Sequence, residues 1–349
     1  MLEICKNNKK ENIEQMVIYL TKREYFLNEF IKEGITPVFV DAMTIGHSRA
    51  VFKLRRLIRK FRPDIVATHL VRADTLGRAA CLFMKDVKVI STIHNVDEWK
   101  KRGELTYRLL RLYNRVTVNK FDHNRLIAVS ESCRKYCIET EDIRPDKIVT
   151  LYNCISKDKF GESVARESLG FNADDFVFIN IGRMTAQKSQ MDILRAAKAL
   201  KDEGIGSVKF IILGDGELRK QLEKFIKKNG LEDTVVMPGI VSNVFNYFAV
   251  SDMLLMSSVS EGFALVALEA FYNKMPALVT DIPPFKEFIT QGETGLFYEL
   301  HNIQELTGNI KDIINGRHDL KAIAERAHTY FEENIDGDYF GKLYEIYNS

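Results

Sequence analysis

Short apolar runs alternate with amphipathic stretches along almost the whole chain, and this alternation limits the fold more than any other feature. In the first half the runs are Gln15–Leu20, Ile35–Asp41, Asp64–Leu70, Lys88–His94, Arg125–Ser130 and Lys147–Tyr152. In the second they are Phe176–Gly182, Lys209–Asp215, Val235–Pro238, Met253–Ser258 and Ala277–Thr280. They are rich in Val, Ile, Leu and Phe and lack clean period-two alternation, which predicts strands buried on both faces of parallel sheets. Between them, Ala50–Phe61, Thr75–Met84, Ser189–Lys201, Glu217–Asn229 and Leu265–Tyr272 read as helices. Strand–helix–strand repetition at this spacing predicts an α/β fold with two Rossmann-like, doubly wound domains.

At 349 residues the chain has room for two such domains. Charge divides it in the same way. Residues 1–160 carry 31 Lys and Arg against 20 Asp and Glu, a balance of +11; the remainder carries 19 against 28, or −9. The boundary is expected near Asn153–Asn172, giving domains over 1–158 and 159–334, with a last helix over 335–349 free to pack back on the first domain. No apolar run reaches the ~18–20 residues of a membrane-spanning helix. The start lacks the charged and apolar regions of a signal peptide. Cys5, Cys81, Cys133, Cys137 and Cys154 are scattered without a zinc-site spacing, which suits idle thiols in a reducing cytoplasm.

The beginning departs from the pattern. Glu3–Asn8 reads as the end of a helix feeding the strand Gln15–Leu20, without the central strand and glycine loop that normally open a doubly wound domain. The expectation is a first domain lacking that opening segment, with roughly 20 residues missing upstream of Met1 by the usual size of such a segment. A naturally compact, rearranged domain is the alternative.

Three strand ends in the second half carry chemistry. After Phe176–Ile181 comes Gly182-Arg183-Met-Thr-Ala-Gln-Lys188, where glycine permits a close turn and two cations suit a diphosphate. Gly214-Asp-Gly216 follows the next strand; Arg219 stands where a dinucleotide fingerprint has its third glycine, which disfavours a nicotinamide enzyme. The densest signal is Ser257-Ser-Val-Ser-Glu261-Gly262-Phe263-Ala264, followed by Glu269 inside the next helix. Backbone N–H groups of Gly262, Phe263 and Ala264 at that helix start suit an anion or hydroxyl. Alternatively, Ser258 and Glu261 form a capping box and Glu269 is a solvated face residue. Strand ends on one rim of a parallel sheet converge on one crevice, so all three clusters are expected in one site.

In combination these segments resemble the family-4 retaining glycosyltransferases of the two-Rossmann-domain (GT-B) type. The resemblance rests on Gly182-Arg183…Lys188, Leu213-Gly-Asp-Gly-Glu217, Pro238-Gly239, Ser251-Asp252, Glu261 and Glu269 with Glu-Gly-Phe between them, Thr294-Gly-Leu296, Ala128-Val-Ser130 and Tyr152-Asn153. It implies that Arg183 and Lys188 hold the nucleotide diphosphate, Glu269 the ribose, and Glu261 the transferred sugar beside the backbone of Gly262–Ala264. It adds Gly182, Gly214, Gly216 and Val241 to the donor site, and His94 as a first-domain histidine facing the sugar. Ala264 stands where many relatives have glycine or proline.

The implied reaction is retaining, metal-independent transfer of a sugar from a nucleotide-diphosphate-sugar to a polysaccharide or lipid-linked acceptor in cell-surface glycan synthesis, such as capsule or lipopolysaccharide. Uridine is the expected base and guanosine the alternative; the donor is a substrate, so no cofactor is implied. No Asp-x-Asp cluster lies beside these strand ends to hold a metal. Another sugar-nucleotide enzyme such as an epimerase, or a donor-binding scaffold without transferase activity, are the competing readings. The basic stretches Lys53, Arg55, Arg56, Arg59, Lys60, Arg62 and Trp99–Arg102, Arg108, Arg111, Arg115 around Leu105, Leu109 and Leu112 suit an anionic inner-leaflet surface. No nucleic-acid-binding motif is present, so nucleic acid is not expected as a partner.

Overall fold

The computed structural model describes residues 1–22, 27–95, 104–155, 164–241 and 243–349. The chain forms two units, one of Met1–Asn153 with Asp338–Ser349 and one of Cys154–Gly337.

The second unit holds one six-stranded sheet, all parallel, built from β7 (Phe176–Ile181), β8 (Val208–Leu213), β9 (Val235–Gly239), β10 (Met253–Met256), β11 (Ala277–Thr280) and β12 (Leu296–Tyr298). Their order is β12-β11-β10-β7-β8-β9. Every residue of β8, β10 and β11 is buried, as strands covered on both faces must be. The covering helices present apolar stripes: α7 (Gln190–Asp202) buries Ile193, Leu194, Ala196, Ala197 and Leu200 against the Phe178, Phe210 and Ile212 side of the sheet. Strand β12 was not foreseen from sequence; three residues after Thr294-Gly295 are too short to read as a run. Two of the motif residues serve this framework. Asp252 accepts two bonds from Arg166 Nη2 at 3.0 Å and one from the Val177 N–H, tying the amino end of β7 to that of β10. Thr294 Oγ accepts the Thr290 N–H and donates to the Phe288 carbonyl, closing the turn before β12.

The first unit has its strands in two separate parallel sheets. β1 (Ile18–Tyr19) pairs with β2 (Val38–Phe39), and β3 (Ile65–His69), β4 (Lys88–Ile93), β5 (Asn124–Ala128) and β6 (Ile148–Thr150) follow in sequence order. Helices α1 (Leu2–Lys10), α3 (His47–Phe61), α4 (Val71–Cys81), α5 (Glu104–Asn119) and α6 (Glu131–Glu139) alternate with them, α2 (Leu27–Lys32) lying between β1 and β2. Ser130 caps α6 by accepting the Cys133 N–H. The final helix α14 (Tyr339–Asn348) belongs to this unit: Leu343 is buried with Ile4, Ile90, Ile127 and Leu151, and Tyr344 bonds Asn7 and Asn8 of α1. None of the five cysteines forms a disulfide, and Cys5, Cys81, Cys133 and Cys137 are buried while Cys154 is half-buried.

Candidate active site

In the second unit the chain runs from β7 outward to β8 and β9, then returns to the opposite side of β7 to lay down β10, β11 and β12. The carboxyl ends of β7 and β10 are therefore a topological switch point, where the loops leave in opposite directions and open a crevice. The loop after β7 carries Gly182, Arg183 and Lys188; the loop after β10 carries Glu261; the loop after β8 carries Gly214 and Gly216.

Backbone bonds join these loops. Gly182 N–H donates to the Leu213 carbonyl at 3.0 Å, Met184 N–H to Asp215 at 3.0 Å, and Gly214 N–H to Gly239 at 2.8 Å. Across the switch point, Val259 N–H donates to the Gln187 carbonyl at 2.8 Å, Gln187 Nε2 to the Ser260 carbonyl at 2.9 Å, and Ser257 Oγ to the Lys188 carbonyl at 2.8 Å. These bonds bring Lys188 and Glu261 together although 73 residues separate them: Lys188 Nζ lies 2.5 Å from Glu261 Oε1. Ser258 Oγ donates to the same oxygen at 2.5 Å. Glu261 is 8% exposed, so this is a largely desolvated ion pair rather than a solvated surface contact.

From sequence, Arg183 and Lys188 were expected at a diphosphate and Glu261 at sugar hydroxyls. In this structure the Lys188 charge is engaged by Glu261. Arg183 is exposed and has no ion-pair partner among the described residues; its backbone carbonyl accepts the Thr185 N–H at 2.9 Å and Gln190 Nε2 at 3.1 Å. The capping-box alternative is not what forms: α10 (Leu265–Tyr272) begins after Ala264, whose side chain makes no cap bond, and Ser258 bonds the Glu261 side chain instead. Gly262, Phe263 and Ala264 are buried, and the Phe263 ring packs edge-on against Phe288 at 5.6 Å, so Phe263 can meet a ligand only through its backbone. Glu269 is half-buried within α10, which is not the solvated position of the alternative reading. Val241 follows β9 on the rim beside Gly239 and is half-buried.

The glycines are fixed by contact. A Cβ on Gly214 would overlap the Gly182 carbonyl oxygen and lie 2.9 Å from its carbon, and Gly214 holds φ at +124°. A Cβ on Gly216 would overlap the Met184 carbonyl oxygen and sit 2.8 Å from the Met184 nitrogen. Both keep the β7 and β8 loops in van der Waals contact, as close backbone approach to an anionic ligand requires.

In the first unit, His94 follows β4 and His69 ends the neighbouring β3, where His69 sits opposite Thr92. His69 Nδ1 and His94 Nε2 are 3.0 Å apart, so one ring N–H donates to the other nitrogen. Burial, and then the neighbouring His94, drive the His69 pKa down to about 3; burial drives that of His94 down to about 4. Both imidazoles are neutral at pH 7. His69 was missed from sequence, although a histidine at the end of each of two consecutive strands was the available signal. Trp99, Lys100, Lys101 and Arg102 lie outside the described residues. On α5, Leu105, Leu109 and Leu112 are exposed at 72%, 59% and 46%, with Arg108 and Arg115 exposed beside them; Arg111 and Arg115 both pair with Asp142, at 2.6 and 3.6 Å.

A parallel sheet of a Rossmann-like unit, with a glycine-lined switch point that carries a cation–carboxylate pair and an exposed arginine, places this crevice where open α/β sheets bind ligands. Comparison with known proteins gives the family. Residues 1–159 match Glycosyltransferase Family 4 and residues 162–330 match Glycosyl transferases group 1, and the chain belongs to these GT-B glycosyltransferases. It is 25% identical over 292 residues to the UDP-Gal:alpha-D-GlcNAc-diphosphoundecaprenol alpha-1,3-galactosyltransferase of Escherichia coli, covering 79% of this chain and 74% of that protein. It is 28% identical over 193 residues to an N-acetylgalactosaminyltransferase of Campylobacter jejuni named for a diphospho-undecaprenol acceptor, covering 55% and 51%. The fold matches that of Anabaena HepE in complex with UDP and glucose with a TM-score of 0.82 at 18% identity, covering 100% and 94% of the two chains. A Rickettsia africae glycosyltransferase matches with a TM-score of 0.80 at 20% identity, covering 99% and 93%.

Proposed function

We infer that this glycosyltransferase moves a sugar from a UDP-sugar, with retention at the anomeric carbon and without a catalytic metal, to a lipid-linked or polysaccharide acceptor at the inner membrane face. The Lys188–Glu261 pair at the switch point, with Arg183 exposed beside it, is the observation that carries this reading. As the glycosidic bond breaks, negative charge develops on the departing diphosphate. Arg183 supplies a bidentate guanidinium toward it, and Lys188 can share its ammonium between Glu261 and a phosphate oxygen. Glu261, fixed by Lys188 and Ser258, offers its second oxygen to sugar hydroxyls, and Glu269 serves the ribose. Retention follows from front-side displacement, in which the leaving phosphate takes the acceptor's proton; a two-carboxylate route needs carboxyls ~5 Å apart flanking the bond. His94 is neutral at pH 7 and so serves as a hydrogen-bonding rather than a charged group. The names of the relatives, which specify UDP-Gal and diphosphoundecaprenol, support the donor and acceptor classes. The exposed leucines and arginines of α5 support membrane contact; among the described residues no helix is long and apolar enough to cross a bilayer.

The test is a panel of UDP- and GDP-sugars read by thermal shift, followed by NMR of the product anomer. A UDP-sugar is expected to raise the melting temperature, and Arg183→Ala to lower kcat/KM by about 10²–10³. Inversion at the anomeric carbon, or Arg183→Ala with wild-type kcat/KM, would overturn the reading.

A further inference from the structure

Lys188 is followed by a residue in an uncommon conformation. Ser189, between Lys188 and the body of α7, sits at φ +47° and ψ +38°, the left-handed region that residues with a Cβ rarely occupy. Its torsions set the direction in which the chain leaves α7 toward Lys188. Lys188 is held on its other sides: its N–H donates to the Thr185 carbonyl at 3.0 Å, its carbonyl accepts Ser257 Oγ at 2.8 Å, and its stem lies along Gly182. Ser189 stands at the helix start but does not cap it. Its hydroxyl donates instead to Asp192 Oδ2 at 2.9 Å, while the Asp192 N–H donates to the Ser189 carbonyl at 2.9 Å. An acid in the first turn of a helix ordinarily serves the helix dipole from a solvated position. Asp192 is 1% exposed and is surrounded by donors: Arg195 Nη1 reaches Oδ1 at 3.3 Å, and His301 Nδ1, from the loop after β12, reaches Oδ2 at 2.7 Å. His301 also holds a left-handed φ, +65°. One buried carboxylate therefore bonds two of the three described left-handed residues, other than glycine, in the second unit. Such conformations persist only where their surroundings fix them, and they gather at functional sites.

We propose that Asp192 is a positioning residue for nucleotide binding: through the Ser189 hydroxyl it locks the joint behind Lys188, and the locked joint keeps the ammonium at the switch point for a phosphate oxygen. The proposal rests on the donor reading given above. Were Ser189 to turn to the right-handed region, α7 would extend back by one residue and carry Lys188 away from the β10 loop and Glu261. A lysine needs this support because its ammonium is a point charge on a flexible stem, aimed by the backbone from which the stem starts. Arg195 and His301 complete the arrangement by compensating a carboxylate that is costly to bury unpaired. Asp192 itself touches no ligand; buried and engaged at both oxygens, it acts only through Ser189 and Lys188.

Calorimetric titration with UDP tests this without turnover, in the wild type, Asp192→Ala, Ser189→Ala, Ser189→Gly and the double variant Ser189→Gly/Asp192→Ala; GDP takes its place as probe if it alone binds. Asp192→Ala is expected to weaken binding about tenfold, through loss of a hydrogen bond to a charged group. Ser189→Ala cuts the same link and leaves the other Asp192 bonds in place; it is expected to match Asp192→Ala, and it carries the test where that protein does not fold. Glycine takes the left-handed conformation without a steric penalty, so Ser189→Gly alone should stay within about twofold of wild type and should restore Asp192→Ala to within about threefold. Both proteins with Asp192→Ala lose the Arg195 and His301 bonds and should melt lower, so recovered binding in the double variant separates positioning from bulk stability. A wild type that binds neither UDP nor GDP sinks the donor reading itself. Normal binding by Asp192→Ala or by Ser189→Ala, or a loss that glycine at 189 does not repair, overturns the positioning role and leaves the donor reading standing.

Discussion

Replacing Gly214 with alanine should damage the donor site from a distance of one loop. The new methyl group would overlap the Gly182 carbonyl oxygen and lie 2.9 Å from the carbonyl carbon, and both atoms are backbone, so no flexible side chain can swing away. The position also holds φ at +124°, a region that non-glycine residues avoid at a cost of about 1–3 kcal/mol. Overpacking a tight contact costs about 1–3 kcal/mol more. Together the penalty is about 2–6 kcal/mol, and at about 2–4 °C per kcal/mol for a unit of this size the melting temperature should fall by about 4–24 °C. Relief of the clash requires the Gly182–Lys188 loop to move off the β8 loop, which displaces Arg183 and the Lys188–Glu261 pair. The thermal shift produced by a UDP-sugar should therefore shrink as well. Gly308 inside α12 (Ile303–Ile314) is the matched control: its φ is not positive, and a Cβ there meets nothing within 4 Å. Gly308→Ala should leave donor binding intact and stabilise by about 0.5–1 kcal/mol through helix propensity. A Gly214→Ala protein that melts within 2 °C of wild type and binds donor normally would refute the loop-contact reasoning.

Acid should weaken the first unit through its histidine pair. Their pKa values in the fold, about 3 and about 4, lie below the unfolded value of 6.5, so the unfolded chain binds more protons in that interval. Stability is full above pH 6.5 and falls as the pH drops toward 4, by about 3 kcal/mol for His94 alone. Melting curves from pH 8 to 4 should show this loss in the wild type and a flatter profile in the His69→Asn/His94→Asn protein; identical profiles would count against it. On α5, Leu109→Ser with Leu112→Ser should reduce sedimentation with phosphatidylglycerol vesicles several-fold, and 0.5 M salt should reduce it further by screening the arginines. Wild-type binding that is indifferent to both changes would remove α5 as the membrane contact.

Much of the framework was legible because an apolar run bounded by turn residues has few alternatives. Ala277–Thr280 and Leu265–Tyr272 form a strand and a helix over those same residues, and β7 ends one residue before the predicted Gly182. The runs Gln15–Leu20 and Ile35–Asp41 shrink to two-residue strands, since a ladder persists only where a neighbour is paired, and β1 lacks one on its open side. Helix α4 begins at Val71 rather than Thr75 because Leu70 turns with positive φ directly after β3. The Lys188–Glu261 bond could not be read from the chain: each residue was visible as a candidate, but the loop-to-loop bonds that join them depend on which strands become neighbours.

Composition and periodicity, then, determined two parallel α/β units, the position of the glycine-bearing strand ends and the residue types available there, since burial on both faces forces continuous apolar strands and close turns force glycine. Tertiary structure alone decided that β7 and β10 are adjacent, that Lys188 shares its charge with Glu261 while Arg183 stays exposed, and that His69 stands against His94. Strand order is set by packing over the whole sheet, and a hydrogen bond between residues 73 positions apart exists only once that packing is complete.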